Sequence, residues 1–163
     1  MFELRAGTPA CPGAHDASDS TLSDALQTIF SIDDHATMAW HHLEFRLGYK
    51  YDVSMMIDDI IEMVLAIRQN DAGLLEVDWP SSGFPYLWSI KWSATDVDIV
   101  ARARDEPGAK ELARCEWVRV KRAPFVRAWQ SLLDIVLSCL LSSGYSSQQI
   151  AGLERLKAAA IGS

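Results

Sequence analysis

Tyr86-Leu87-Trp88-Ser89-Ile90-Lys91-Trp92 sets Tyr86, Trp88, Ile90 and Trp92 against Leu87, Ser89 and Lys91. This period of two marks a strand with one face in the core. The flanking segments repeat it. Leu75, Val77 and Trp79 alternate with Glu76 and Asp78, while Val97, Ile99, Ala101 and Ala103 alternate with Asp96, Asp98, Arg102 and Arg104, only Val100 falling out of step. The connections are short, Pro80-Ser81-Ser82-Gly83 being one and Asp105-Glu106-Pro107-Gly108 another, the latter turning into a fourth segment from Leu112 to Arg122. Parallel pairs need crossovers of about a dozen residues or more, so these strands are expected to form an antiparallel meander. In the fourth segment Ala113, Cys115 and Trp117 share one face and Val118 and Val120 the other. A β-bulge near Trp117 would return both sets to the core. The alternative leaves Trp117 exposed beside Arg119 and Lys121.

Ahead of the meander, Ala39 to Tyr49 alternates as a further strand, with Leu43, Phe45 and Leu47 on one face and His42, Glu44 and Arg46 on the other. Ile57, Ile60, Ile61, Val64 and Leu65 then form the stripe of a strong helix, with Ser54 as its expected N-cap and Asn70-Asp71-Ala72-Gly73 at its end. Asp58 and Asp59 are expected in its first turn, where the helix dipole favours them. Behind the meander, Phe125, Trp129, Leu132, Val136, Cys139 and Leu140 line a second long helix with Pro124 near its start. Leu22, Leu26, Ile29 and Phe30 predict a short helix capped by Thr21, and the S-x-x-Q form of Ser146 to Gln149 predicts a capping box opening a last one. The fold class expected is α+β: a single antiparallel β-sheet (meander) with two main helices packed on one face and a short C-terminal helix. Residues 1–163 read as a single domain, with residues 1–21 a flexible or loop-like arm rich in Pro, Gly, Ser and Ala from position 6 onward.

At 163 residues, 49% apolar and 23% charged, the chain can bury a core without staples. Its longest apolar run, Ile135 to Leu141, falls short of the roughly 20 residues of a membrane span. Met-Phe-Glu-Leu-Arg lacks the basic start and apolar stretch of a secretory signal, so a cytoplasmic protein is expected. Three dispersed cysteines, Cys11, Cys115 and Cys139, give neither a full disulfide framework nor a metal spacing, and Cys115 and Cys139 are read as reduced and buried.

The charge is divided. Residues 1–80 hold fourteen acidic and four basic residues and residues 81–163 eight and eleven, so the halves carry −10 and +3 of a net −7. An acidic surface repels nucleic acid and attracts basic partners. Asp58-Asp59-Ile60-Ile61-Glu62 has the D-D-x-x-E form that holds magnesium–diphosphate in terpenoid synthases, but those are larger all-helical enzymes with a second motif, and a solvated helix face explains the spacing. His41 and His42, adjacent on the expected strand, point to opposite faces, so no metal site is expected from them and His35. No G-x-S-x-G, activated cysteine or G-x-x-x-x-G-K-[ST] occurs, so neither a catalytic residue nor a cofactor is assigned. Lys91, Arg102, Arg104, Arg119 and Lys121 would cluster on the solvent face of the meander, a patch able to touch phosphate. Among the tryptophans, Trp79, Trp88 and Trp92 read as core, and Trp40 and Trp117 as the ones able to serve an interface.

The order strand, helix, meander, helix, with Gly83-Phe84-Pro85-Tyr86-Leu87-Trp88 entering the second meander strand, resembles the immunity proteins of bacterial polymorphic-toxin and contact-dependent growth inhibition systems. The resemblance covers roughly Trp40 to Gly144 in layout, size and acidity and carries over no functional residue. It implies a cytoplasmic, non-catalytic inhibitor that blocks one cognate toxin, many such toxins being basic nucleases. The expected partner-binding residues are Asp58, Asp59 and Glu62 of the helix, then Glu44, Glu76 and Asp78 of the strands. The alternative is a small enzyme or ligand-binding module with a site assembled from separated residues such as His42, Glu44 and Trp88.

Overall fold

The computed structural model describes residues 1–11 and 13–160. They form seven strands, β1 (Phe2–Arg5), β2 (His35–Trp40), β3 (Leu43–Gly48), β4 (Gly73–Asp78), β5 (Tyr86–Trp92), β6 (Asp96–Ala103) and β7 (Trp117–Lys121). Five α-helices accompany them: α1 (Leu22–Ile29), α2 (Ser54–Gln69), α3 (Glu106–Leu112), α4 (Arg122–Ser142) and α5 (Leu153–Ala160). The class is α+β, but the strands make two antiparallel sheets, β1-β2-β3 and β4-β5-β6-β7, rather than one.

The expected meander is the second sheet. Trp88 lies opposite Val77 and Ala101, and Ile99 opposite Ile90 and Val118, so the apolar side chains share its inner face. In the first sheet Phe2 and Leu4 stand opposite Trp40 and Met38, which face Leu43 and Phe45. The inner faces meet through rings: Trp40 and Trp88 are 5.5 Å apart, and Phe2 is 6.3 Å from Trp88. Trp129 of α4 stacks on Trp79 at 6.0 Å. Such pairs are worth about 0.5–1.5 kcal/mol beyond the apolar area they bury. Trp40, one of the two tryptophans open to an interface role, is fully buried and donates its indole N–H to the Cys115 carbonyl at 2.6 Å. α4 packs on α1, α2, α5, β1, β6 and β7. It is long and apolar enough to cross a membrane by length and composition, yet Phe125, Trp129, Leu132, Leu133, Val136 and Leu140 are buried inside the protein.

Several elements differ from the sequence reading. The segment from Ala39 to Tyr49 is not one strand: Trp40-His41-His42-Leu43 reverses the chain, with His41 at φ 52°, a conformation uncommon for a non-glycine residue. Tertiary bonds hold His41 there. Its N–H donates to the Met1 carbonyl at 2.7 Å, and its ring Nε2 lies 2.7 Å from the Trp117 carbonyl, which places the ring proton on Nε2. Asp105-Glu106-Pro107-Gly108 is an N-cap rather than a turn: Asp105 accepts the Gly108 N–H at 2.7 Å and opens α3. β7 therefore begins only at Trp117, which is 52% exposed while Val118 is buried, so no bulge returns Trp117 to the core.

Within residues 1–21, Phe2–Arg5 pair as β1, and the loop beyond is tied down. Tyr145 donates to Asp19 at 2.6 Å, and Gln149 donates to the carbonyls of Asp16 and Asp19 at 2.8 and 3.1 Å. Gln149 is thus spent on the loop and closes no capping box, and α5 starts later, at Leu153. Cys139 is not reduced: it is joined to Cys11, with Cα atoms 5.3 Å apart, and Cys115 alone is a free buried cysteine.

Candidate functional site

α2 begins earlier than its sequence suggests. Tyr49–Val53 form a π-helical turn that runs into Ser54, and the Ser54 hydroxyl donates back to the Lys50 carbonyl at 2.5 Å instead of capping. Asp52 fixes this turn by accepting the Gly48 N–H at 2.8 Å and the Ser81 hydroxyl at 2.5 Å. Lys50 reaches the Gln27 carbonyl at 2.5 Å and the Phe30 carbonyl at 3.3 Å, which caps the end of α1. Tyr49 is buried and donates to the Ala6 carbonyl at 2.8 Å; burial, with the charge of Asp34 second, holds its phenol well above its usual range.

The consequence concerns Asp58 and Asp59. They do not lie in the first turn of α2, which contains no acidic residue, so the helix dipole does not account for them. Positions 51, 55, 58, 59 and 62 follow the helical repeat on one face. Tyr51 and Met55 are 58% and 48% exposed there, Asp58 and Glu62 are exposed, and Asp59 is half-buried. Burial pushes the Asp59 carboxyl up from its ordinary value, and the charges of Glu62, Asp58 and Asp78 push it further. Among the described residues no cation pairs with Asp58, Asp59 or Glu62.

Of the six carboxylates expected from the sequence, the fold therefore gathers four. Asp78 joins the α2 group because β4 packs beside α2, although it also pairs with Arg104. Glu76 lies two residues back on the outer face of the second sheet and accepts the Ser89 hydroxyl at 3.1 Å. Glu44 stands on the outer face of the other sheet, opposite Ala39 and within reach of the Arg5 charge. Tyr51 and Met55 are the residues that sequence reasoning missed. The signal is their i, i+4 spacing into Asp59, hidden because the apolar stripe of the helix becomes regular only from Ile57.

The rest of the surface narrows the choice. Arg119 pairs with Asp98 at 2.7 and 3.1 Å and Lys121 with Asp96 at 2.8 Å, so carboxylates interleave the basic patch. His42 is exposed, Glu44 lies on the outer face of β3 and Trp88 is 1% exposed in the core, so these three do not converge on a site. Among the described residues no group of three or more His, Cys, Asp or Glu side chains is placed to hold a metal ion. No family model matches the chain, and no curated protein or solved structure matches it either.

Proposed function

We propose that the chain is a non-catalytic acidic binding protein that neutralises a cognate basic protein toxin, most fittingly a nuclease, by occluding its active or substrate-binding site. The observation that carries this reading is the α2 face: carboxylates without cation partners among the described residues, one of them disfavoured as a charge first by burial and then by its acidic neighbours, beside two exposed side chains, Tyr51 and Met55. Lysines or arginines of a partner would relieve the repulsion that Asp59 bears alone. Tyr51 and Met55 would supply the desolvated anchors that hold such a complex, the carboxylates chiefly its rate of formation. An immunity protein of the contact-dependent growth inhibition type is the class proposed. A cytoplasmic location belongs to that proposal, against which the Cys11–Cys139 crosslink weighs, since disulfides persist mainly in oxidising compartments.

The test is copurification with the basic C-terminal domain of a secreted protein encoded next to this gene, followed by association kinetics. Asp58→Lys with Glu62→Lys is expected to slow association by about tenfold or more and to flatten its salt dependence. An association rate and salt slope equal to those of the unmodified protein would overturn the assignment of the α2 face.

A further inference from the structure

At the far end of α2, where it meets the start of α4, Arg68, Arg122, Arg127 and Gln130 line a concavity of about 290 Å³ together with Ala94, Ala123 and Val126. It lies beyond the carboxylates of the docking face, near Arg68 rather than near Asp58 and Glu62. Among the described residues no carboxylate is in its wall.

Two of the three guanidinium groups are fixed by backbone carbonyls. Arg122 donates to Ile67 at 2.5 Å and Asn70 at 2.9 Å, and to Asp71 and Ser93 at 3.3 Å each. Arg68 donates to Ala158 at 2.7 Å and Ala159 at 3.3 Å. Carbonyl dipoles orient these groups but leave their formal charge in place. Arg127 follows Arg122 along α4, is exposed and has no partner among the described residues. None of the three enters an ion pair there. The nearest carboxylates along the chain are Asp71 and Asp134, both exposed, and Asp96, which is held by Lys121. On a chain of net charge −7, three arginines without an ion-pair partner among the described residues therefore line one small concavity. Arg127 keeps all its side-chain N–H groups, Arg68 its Nη2 and Nε groups, and Arg122, whose four terminal N–H groups go to carbonyls, contributes chiefly its charge.

We propose that this concavity binds the phosphate group of a small phosphorylated molecule, Arg127 and the remaining N–H groups of Arg68 donating to the anion while the carbonyl-held Arg122 adds positive charge beneath it. A phosphate monoester carries about −1.5 to −2 at neutral pH, which matches three guanidinium charges better than a carboxylate does. The volume sits at the lower end of the ~300–1,000 Å³ of small-molecule sites, and Ala94, Ala123 and Val126 offer an apolar wall to the organic remainder. This site is independent of the toxin-binding reading, and either can fail without the other.

The experiment is isothermal titration of the full chain with inorganic phosphate and with adenosine 5′-monophosphate, each at ionic strength matched with chloride. Saturable binding is expected for at least one probe; tighter binding of the nucleotide would assign the apolar wall to its organic part, and equal binding would assign the anion alone. Arg127→Ala should weaken binding about tenfold, the loss of about one charge-assisted hydrogen bond, while Arg127→Lys should retain more of it. Arg102→Ala, an exposed arginine on the outer face of β6, should change nothing. The proposal is overturned if neither probe binds above the chloride control, if Arg127→Ala binds as the unmodified chain does, or if Arg102→Ala weakens binding equally.

Discussion

Replacing Asp52 tests whether the π-helical turn presents the α2 face. One carboxylate oxygen takes the Gly48 N–H at 2.8 Å and the other the Ser81 hydroxyl at 2.5 Å, and Ser81 in turn accepts the Gly83 N–H at 3.1 Å. Ser81 is 2% exposed, so water cannot easily replace its lost acceptor, whereas the Gly48 N–H is only partly buried. Hydrogen bonds to a charged group are worth about 1.5–3 kcal/mol each, so Asp52→Ala should cost about 3 kcal/mol once partial rescue by water at Gly48 is allowed for. Asp52→Asn keeps an acceptor for one of the two donors and should cost about half as much. The assay is urea unfolding followed by tryptophan fluorescence, arranged as a double-mutant cycle with Ser81→Ala. A coupling of about 1–2 kcal/mol between the two positions is expected for a direct bond in a buried loop contact. A loss below about 1 kcal/mol for Asp52→Ala, or additivity in the cycle, would refute the assignment of Asp52 as the clasp.

Asp59→Asn removes a carboxylate whose folded-state pKa lies above its ordinary value of 3.8. The native state then binds more protons than the unfolded one as pH rises past that value, so Asp59 costs stability that is absent below it and complete above the raised pKa. The substitution should therefore stabilise the protein at pH 7 by a few tenths of a kcal/mol, the scale of like-charge pairs on a helix, and the gain should vanish in acid. Denaturant midpoints at the two pH values check this, and a gain independent of pH would refute it. Cys11→Ser opens a crosslink between positions 128 residues apart and should cost about 3 kcal/mol in oxidising buffer. Reductant should impose the same loss on the unmodified chain and none on Cys11→Ser, both read from urea midpoints.

What the sequence made legible was local. Thr21 caps α1 as read, accepting the Asp24 N–H at 3.1 Å, because one side chain and one turn decide it. The alternation of β4, β5 and β6 survives because each strand buries one face and water decides the rest. The misreadings are places where distant contacts outvote local signals. β1 is four residues long and gains its structure by pairing with β2. His41 takes a positive φ without the Asn or Gly that would have announced the turn, held by Met1 and Trp117. Asp105 with Pro107 suits a turn and a helix start equally, and here the Asp105 cap opens α3, whose Gly108 and Leu112 are buried. Of the candidate site, the helix carboxylates could be read from spacing, whereas the entry of Asp78 and the exclusion of Glu44 needed the division into two sheets.

That division also changes what the acidic half of the chain means. Had Asp58 and Asp59 sat at the helix start, stability alone would have explained them, and the charge split would have carried little about function. The π-helical turn moves the start of the helix back toward Tyr49 and leaves both residues in its interior. There they gain nothing from the dipole, and Asp59, already disfavoured by burial, is repelled by Glu62, Asp58 and Asp78. Other charged groups in this protein are arranged differently: Asp96, Asp98 and Glu154 each hold a lysine or arginine. Exposed carboxylates without an ion-pair partner among the described residues occur elsewhere too, Asp24, Asp71 and Asp134 among them, but Asp58, Asp59 and Glu62 are gathered on a helix face that also exposes Tyr51 and Met55. Bare charge beside exposed apolar surface costs the free protein stability and speeds its encounter with a cationic one, which is the exchange that an acidic inhibitor of a basic partner needs.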